Sequence, residues 1–328
     1  MKNTIETFSA LGARLLGFGD DDATRAVIDS ACRANGWVTP ADIRRAVRAI
    51  ACDMLQREKL EAWLADYPAL PVAEPRRVLV VMAGNIPLVG FFDLLCVLVS
   101  GHGCLVKPSA KDSVLMEHVV GLLREIDPSA PVRLYDRTSP VDAVIATGSD
   151  NANRYFRAQY AGIPSLLRAS RQSVAVLSGR ETPEQLAGLA DDIWAYSGLG
   201  CRSVSLIFAP EGYEPALQMP PVNDKYINNY RQQRTLLEMQ GRPFVDLGCA
   251  VAVEQCAFPT ALSRIAYAHY ATLDEVVAWL AGHDGELQCV VTGCLPHSRR
   301  VGFGCAQSPA LTDYPDDRDV LAWLAALD

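Results

Sequence analysis

The 328-residue chain is half hydrophobic, which is ample for a large core and points to two domains rather than one or three. Its net charge of −8, from 30 Lys+Arg against 38 Asp+Glu, comes without a basic stripe interleaved with aromatics and argues against nucleic acid as a partner. Ten cysteines with no C-x-x-C pair fit a reducing compartment better than a disulfide framework, and an N-terminus without a secretory pattern points to the cytoplasm.

Residues 1 to about 70 read as helical, with Ile5, Phe8, Leu11 and Leu15 at helical spacing and again Ile43, Val47, Ile50 and Met54. Thr39-Pro40-Ala41-Asp42 supplies an N-cap, a first-turn proline and a carboxylate suited to the helix dipole. Trp63 and Tyr67 fall at helical spacing and are expected in the core. After a proline-rich linker at 68–75, residues 77–82 form a continuous apolar strand of the buried parallel kind. An apolar helix at 88–100 and a strand at 104–107 complete a βαβ unit. The most apolar stretch, 86–99, is broken by Pro87, Gly90 and Asp93 and is too short to span a bilayer, which takes about 20 apolar residues.

A helix at 113–126, strands at 132–135 and 143–146, a helix through Tyr160 and a fifth strand at 173–177 continue the alternation. That pattern predicts a Rossmann-type, doubly wound α/β sheet, whose ligands bind at the carboxyl ends of the strands. Three polar loops fall there: Asn85 after the first strand, Lys107-Pro108-Ser109 after the second, and Thr147-Gly148-Ser149 after the fourth, where a helix N-terminus can hold a phosphate. No G-x-G-x-x-G is present, so a dinucleotide has to sit differently from the usual pose.

From about 180 the pattern changes to a helix at 182–195, a glycine-rich turn, a strand at 204–208 and a polar helix at 221–241 whose Tyr226 and Tyr230 face either a pocket or solvent. The expected division is a nucleotide-binding unit over 1–180 with the helical N-terminal segment, and an α/β catalytic unit over 181–304. Residues 305–328, ending in an amphipathic helix, are expected to pack back on the first unit.

The turn Tyr196-Ser197-Gly198-Leu199-Gly200-Cys201-Arg202-Ser203 holds the candidate nucleophile, Cys201. Glycines on its N-terminal side let a carbonyl approach the backbone closely. The competing reading is a small buried hydrophobe. Cys305, in the loop Gly302-Phe303-Gly304-Cys305-Ala306-Gln307, is the other thiol beside glycine. Cys289, Cys294, His297 and Cys305 lie near one another in sequence, but their spacing matches no zinc pattern and no metal is expected. The five histidines sit in no motif and read as surface or loop residues.

The segments around Gly84-Asn85-Ile86-Pro87, Ala146-Thr147-Gly148-Ser149 and Gly198-Leu199-Gly200-Cys201-Arg202-Ser203, with Gly302–Gln307 and Asp313-Tyr314 as a weaker fourth, resemble the acyl-CoA reductases of the bacterial bioluminescence (LuxC-like) type, in the aldehyde dehydrogenase superfamily. The resemblance covers nearly the whole chain. It implies an aldehyde-dehydrogenase-like fold and reduction of an acyl thioester to the aldehyde by NADPH, through an acyl-cysteine on Cys201. It also implies that Asn85 serves as the oxyanion donor, Lys107 and Ser109 bind the adenosine ribose, and Thr147, Gly148 and Ser149 line the pyrophosphate site. Acyl-CoA or an acyl-carrier protein is the implied substrate, with an acyl-protein synthetase partner and a homo-oligomer left open.

One departure is informative. Where hydrolytic aldehyde dehydrogenases carry Glu-Leu-Gly-Gly, with a general base that activates water, this chain reads Leu167-Arg168-Ala169-Ser170. Without that carboxylate an acyl-cysteine resists hydrolysis, which favours a thioester reductase over an acid-forming dehydrogenase. An acyl-phosphate reductase and a catalytically idle acyl- or carrier-binding subunit are the remaining alternatives. Glu254 only loosely matches the superfamily glutamate that orients the nicotinamide ribose.

Overall fold

A computed structural model describes residues 2–327. Two of its N-terminal helices begin where the sequence supplies both a capping side chain and an apolar stripe. Helices α1 (Lys2–Leu16), α2 (Asp22–Ala34), α3 (Pro40–Ala49) and α4 (Arg57–Ala65) make up the N-terminal segment, with a π-helical turn at Ile50–Met54. Asp21 caps α2 by accepting from the Thr24 N–H at 2.7 Å. Thr39 caps α3 with Pro40 in the first turn, as predicted, and Asp42 closes a reciprocal capping box that the sequence reading did not foresee. Phe8, Leu11, Leu15, Ile43, Val47 and Trp63 are buried in one core.

The strands β1 (Arg77–Val81), β2 (Gly103–Lys107), β3 (Val132–Leu134), β4 (Ala143–Thr147) and β5 (Ser165–Arg168) alternate with helices α5 (Phe91–Val99), α6 (Ser113–Ile126) and α7 (Asp150–Gln159). The five strands are parallel in the order β3-β2-β1-β4-β5. The period-2 rule divides the apolar runs between two faces. Val78, Val80, Val106 and Ile145 join the core with α5 and the N-terminal helices, whereas Leu79, Val81, Leu105, Val144 and Ala146 pack with Phe156 and Tyr160 of the α7 segment. This is the doubly wound sheet that the sequence predicts.

The second sheet contains β6 (Gln172–Val176), β7 (Val204–Pro210), β8 (Val245–Asp246), β9 (Val251–Glu254), β10 (Arg264–Tyr270), β11 (Leu287–Thr292) and β12 (Arg300–Val301). Its helices are α8 (Pro183–Trp194), α9 (Asp224–Met239) and α10 (Leu273–Gly282). The strand order is β12-β11-β6-β7-β10-β9-β8, parallel except for β8 against β9. One sequence expectation changes here: the run at 173–177 is not the fifth strand of the first sheet but a central strand of the second. Ser165–Arg168 takes the fifth place. Two leucines are too short an apolar signal to mark it, and the chain changes sheets within a few residues. The tyrosines of α9 settle into structure: Tyr226 accepts from the Trp194 indole N–H at 3.1 Å, and Tyr230 donates to Asp246 at 2.7 Å.

Two compact units result, one running to Ser170 and resuming at Ala310, the other Arg171–Pro309. The final helix α11 (Val320–Ala325) belongs to the first, burying Val320, Leu321 and Leu324 in its core. His102, expected at a surface or in a loop, is fully buried beneath α11. Its Nδ1 accepts from the Arg76 N–H at 2.9 Å, which leaves Nε2–H to donate to the Leu324 carbonyl at 3.0 Å. Tyr67 and Trp63 reach the same C-terminal segment through the Tyr314 hydroxyl, and Tyr67 also donates to Asp319.

Candidate active site

The Cys201 thiol is exposed. It follows α8 through a turn in which three consecutive residues are left-handed: Tyr196 at φ 52°, Ser197 at φ 56° and Gly198 at φ 65°. Glycine adopts this region at little cost, but tyrosine and serine do so at about 1–2 kcal/mol each, so the surroundings must hold them there. Tyr196 and Ser197 are both buried. The Cys201 backbone is anchored: fully buried Ser173 donates its hydroxyl to the Cys201 carbonyl at 2.9 Å and accepts from the Cys289 N–H at 3.1 Å. A tight turn from the Ser203 N–H to the Gly200 carbonyl, 3.0 Å, then leads into β7. Sequence reasoning found the glycines but missed Ser173, which lies in an otherwise ordinary strand.

Of the other thiols, Cys256 and Cys305 are also exposed, and burial pushes the Cys256 thiol above its ordinary value. The four residues weighed as metal ligands go separate ways. Cys289 lies against the Ser173 hydroxyl, Cys294 against the Thr292 hydroxyl, and His297 Nδ1 accepts from the Arg299 N–H. Cys305 stands exposed on its loop.

In the first unit the register of the sheet aligns the candidate cofactor residues. Val81 pairs with both Lys107 and Ala146, and Thr147 pairs with Arg168, so the ends of β2, β1, β4 and β5 lie side by side. Asn85, half-buried, sits in the loop after β1. That loop packs tightly on the one after β2: a Cβ on Gly84 would lie 2.5 Å from the Ser109 hydroxyl and 2.6 Å from its Cβ, so only glycine fits. Leu88 is left-handed at φ 55°, and its N–H donates to the buried Asp112 carboxylate at 3.0 Å. Burial pushes the Asp112 carboxyl up to about 7, with the Leu88 N–H opposing the shift.

Ser149 caps α7, accepting from the Ala152 N–H at 3.4 Å, and Gly148 lies against Ala152 and Phe156, leaving no room for a side chain. Asp150 in the first turn sets a carboxylate beside this N-terminus and weakens it as a phosphate site. Lys107, ending β2, has no acidic partner among the described residues. The donor set therefore suits the hydroxyl and phosphate groups of an NAD(P)-type dinucleotide better at the Lys107–Ser109 end than at α7.

Arg168, at the end of β5, points into the first core rather than to solvent. Its Nη1 donates to both oxygens of Asp93 at 2.6 and 2.7 Å, and both side chains are buried. The Arg168 carbonyl accepts from the Asn153 side chain at 2.7 Å, tying β5 to α7. Asp93 was legible in sequence only as the one charge in a nine-residue apolar helix.

The model of the acyl-CoA reductase (LuxC) family matches residues 33–218, more than half of the chain. No curated protein matches it. Among solved structures, it is similar to aldehyde dehydrogenase 21 of Physcomitrella patens in complex with succinate, at TM-score 0.68 and 10% identity over 99% of this chain and 83% of that one. It is also similar to a propionaldehyde dehydrogenase of a Clostridium phytofermentans microcompartment, at TM-score 0.61 and 10% identity over 91% and 80% of the two chains. The NADP-dependent glyceraldehyde-3-phosphate dehydrogenase of Bacillus halodurans, complexed with NADP, gives TM-score 0.61 and 11% identity over 89% and 73%. At these identities the structural likenesses establish the fold, which is that of the aldehyde dehydrogenases. With the family match spanning the strand ends, the base-less Leu167-Arg168-Ala169-Ser170 stretch and the Cys201 turn, the chain belongs to the acyl-CoA reductase (LuxC) family.

Proposed function

We propose that the protein reduces an acyl thioester to the aldehyde with NADPH, through an acyl-cysteine on Cys201. Support comes chiefly from one observation: an exposed thiol at the end of a buried left-handed turn, with its own carbonyl anchored by Ser173. The Cys201 thiolate attacks the thioester carbonyl, its Sγ–C bond forms, and the bond from carbon to the CoA sulfur breaks as CoA leaves as the thiol. One thioester replaces another, so this step is close to thermoneutral and depends mainly on thiolate supply and oxyanion stabilisation. Asn85 is assigned the oxyanion donor role, Lys107 and Ser109 the adenosine ribose and its phosphate, and Thr147, Gly148 and Ser149 the pyrophosphate. The Lys107–Ser109 and Thr147–Ser149 loops would hold the dinucleotide, which would supply a hydride, and Cys201 would be released as the thiolate when the aldehyde forms. The buried Arg168–Asp93 pair at the place of a hydrolytic base favours reduction over release as the acid.

The test is NADPH oxidation against a panel of acyl-CoAs of graded chain length, with aldehyde trapped and identified, for the wild type and Cys201→Ala. Aldehyde formation by the wild type and its loss in the variant is the expected result. Thiol acylation without NADPH oxidation by any acyl-CoA would move an acyl-binding role ahead.

A further inference from the structure

The loop Gly302–Gln307 is held to the Cys201 turn at several points, all within the second unit. Asp192, on α8 and fully buried, accepts the Gly304 N–H at 2.7 Å and the Ala306 N–H at 2.9 Å. Gly188, one helical turn earlier on the same face, touches the loop directly: a Cβ there would lie 2.8 Å from the Gly304 nitrogen. Gly304 is itself left-handed at φ 78°. From the loop, contacts return to the residues around the nucleophile. Arg202 Nε donates to the Ala306 carbonyl at 2.5 Å, and the Gln307 side-chain amide donates to the Ser203 hydroxyl at 3.3 Å. The Gln307 side-chain carbonyl lies 3.6 Å from where a Cβ on Gly200 would be.

The chain thus closes a ring. Asp192 stands just before the left-handed turn, the loop bridges across, and Arg202 and Ser203 stand just after Cys201. Left-handed tyrosine and serine persist only where the surroundings over-determine them, and this ring supplies that constraint from the helix side as Ser173 does from the sheet. A carboxylate is suited to this work because it accepts two N–H groups at once, whereas an amide in its place turns one acceptor into a donor facing a donor.

Resting on the reading of Cys201 as the acylated nucleophile, we propose that Asp192 is a positioning residue: by seating the 302–307 loop it fixes the turn on both sides of Cys201 and sets the thiol's line of attack. Oriented attack on a thioester carbonyl depends on this. Alkylation by a small haloacetamide, in which the thiolate displaces iodide from an unheld carbon, does not.

The experiment compares two rates at Cys201 by peptide mass spectrometry in the full chain: acylation by an acyl-CoA that acylates the wild type, and alkylation by iodoacetamide. Protection of buried Cys249 and Cys289 from alkylation serves as an internal check on folding. In Asp192→Asn the acylation rate is expected to fall tenfold or more, with alkylation of Cys201 within threefold of the wild type and Cys249 and Cys289 still protected. Gln307→Ala, which cuts a single link to Ser203, is expected to slow acylation about threefold and decides the matter if Asp192→Asn does not fold. Wild-type acylation rates in the folded variants overturn the proposal, as does an equal fall in acylation and alkylation of Cys201, which marks a less reactive thiol rather than a misdirected one. Absence of acylation in the wild type with every acyl-CoA removes the reading of Cys201 and this inference with it.

Discussion

The loops that carry Asn85 and Cys201 are built on one plan with different margins. Each contains left-handed residues other than glycine, Leu88 in one and Tyr196 with Ser197 in the other, and each is held by a buried aspartate that binds backbone N–H groups. Asp192 accepts two such groups and works through a loop tied back to Arg202 and Ser203. Asp112 accepts one, from Leu88, and its carboxyl is pushed up to about 7. The Cys201 turn is therefore moored through several linked contacts, while the Asn85 loop rests on a carboxyl pushed up to about 7. Backbone strain is tolerated in both places because a buried carboxyl group fixes the chain.

Experiments can sharpen that contrast. The largest effect on stability is expected at neither loop but at the Arg168–Asp93 pair of the first unit. Asp93→Ala leaves a buried guanidinium without its counter-charge and is expected to cost about 3–5 kcal/mol in denaturant unfolding. The double variant Asp93→Leu/Arg168→Met should recover most of it, and a single variant as stable as the wild type contradicts the burial of the pair. Next comes Asn85→Ala, for which kcat should drop about a hundredfold with little change in the KM for acyl-CoA, as for loss of an oxyanion donor. A rise in KM alone would reassign Asn85 to ground-state binding.

The smallest effect concerns Asp112. Its folded value of about 7 lies above the ordinary aspartate value of 3.8, so the folded chain holds the proton more tightly than the unfolded one. The stability this group contributes is full below about pH 4 and is lost as pH rises through 7. Asp112→Asn keeps an acceptor for the Leu88 N–H and removes the ionisation. Its melting temperature relative to the wild type should therefore climb by a few degrees between pH 4 and pH 8, and a constant difference across that range contradicts the assignment.

Sequence alone made the first sheet legible because β1, β2 and β4 are uninterrupted apolar runs, each followed by a polar loop. It also marked Cys201 by its flanking glycines. It could not separate β5 from β6, since a four-residue strand leaves almost no periodic signal and the chain passes between sheets at once. Asp93, Asp112, Ser173 and Asp192 were missed for a common reason. Their partners lie 75, 24, 28 and 112 or 114 positions away, and periodicity reports which face a residue occupies, not what it meets there. The left-handed Tyr196 and Ser197 were hidden likewise, because glycine advertises that backbone and tyrosine does not.

The central claim, that Cys201 carries the acyl group, is tested most directly without any nucleotide. The protein is mixed with a medium- or long-chain acyl-CoA, quenched in acid, and the acyl mass located by peptide mapping in the wild type and in Cys201→Ser. A single acyl adduct on the Cys201 peptide, released by hydroxylamine and absent from the variant, is the predicted result. An adduct on Cys305 or Cys256 that survives Cys201→Ser, or none at all across the chain-length series, would contradict it.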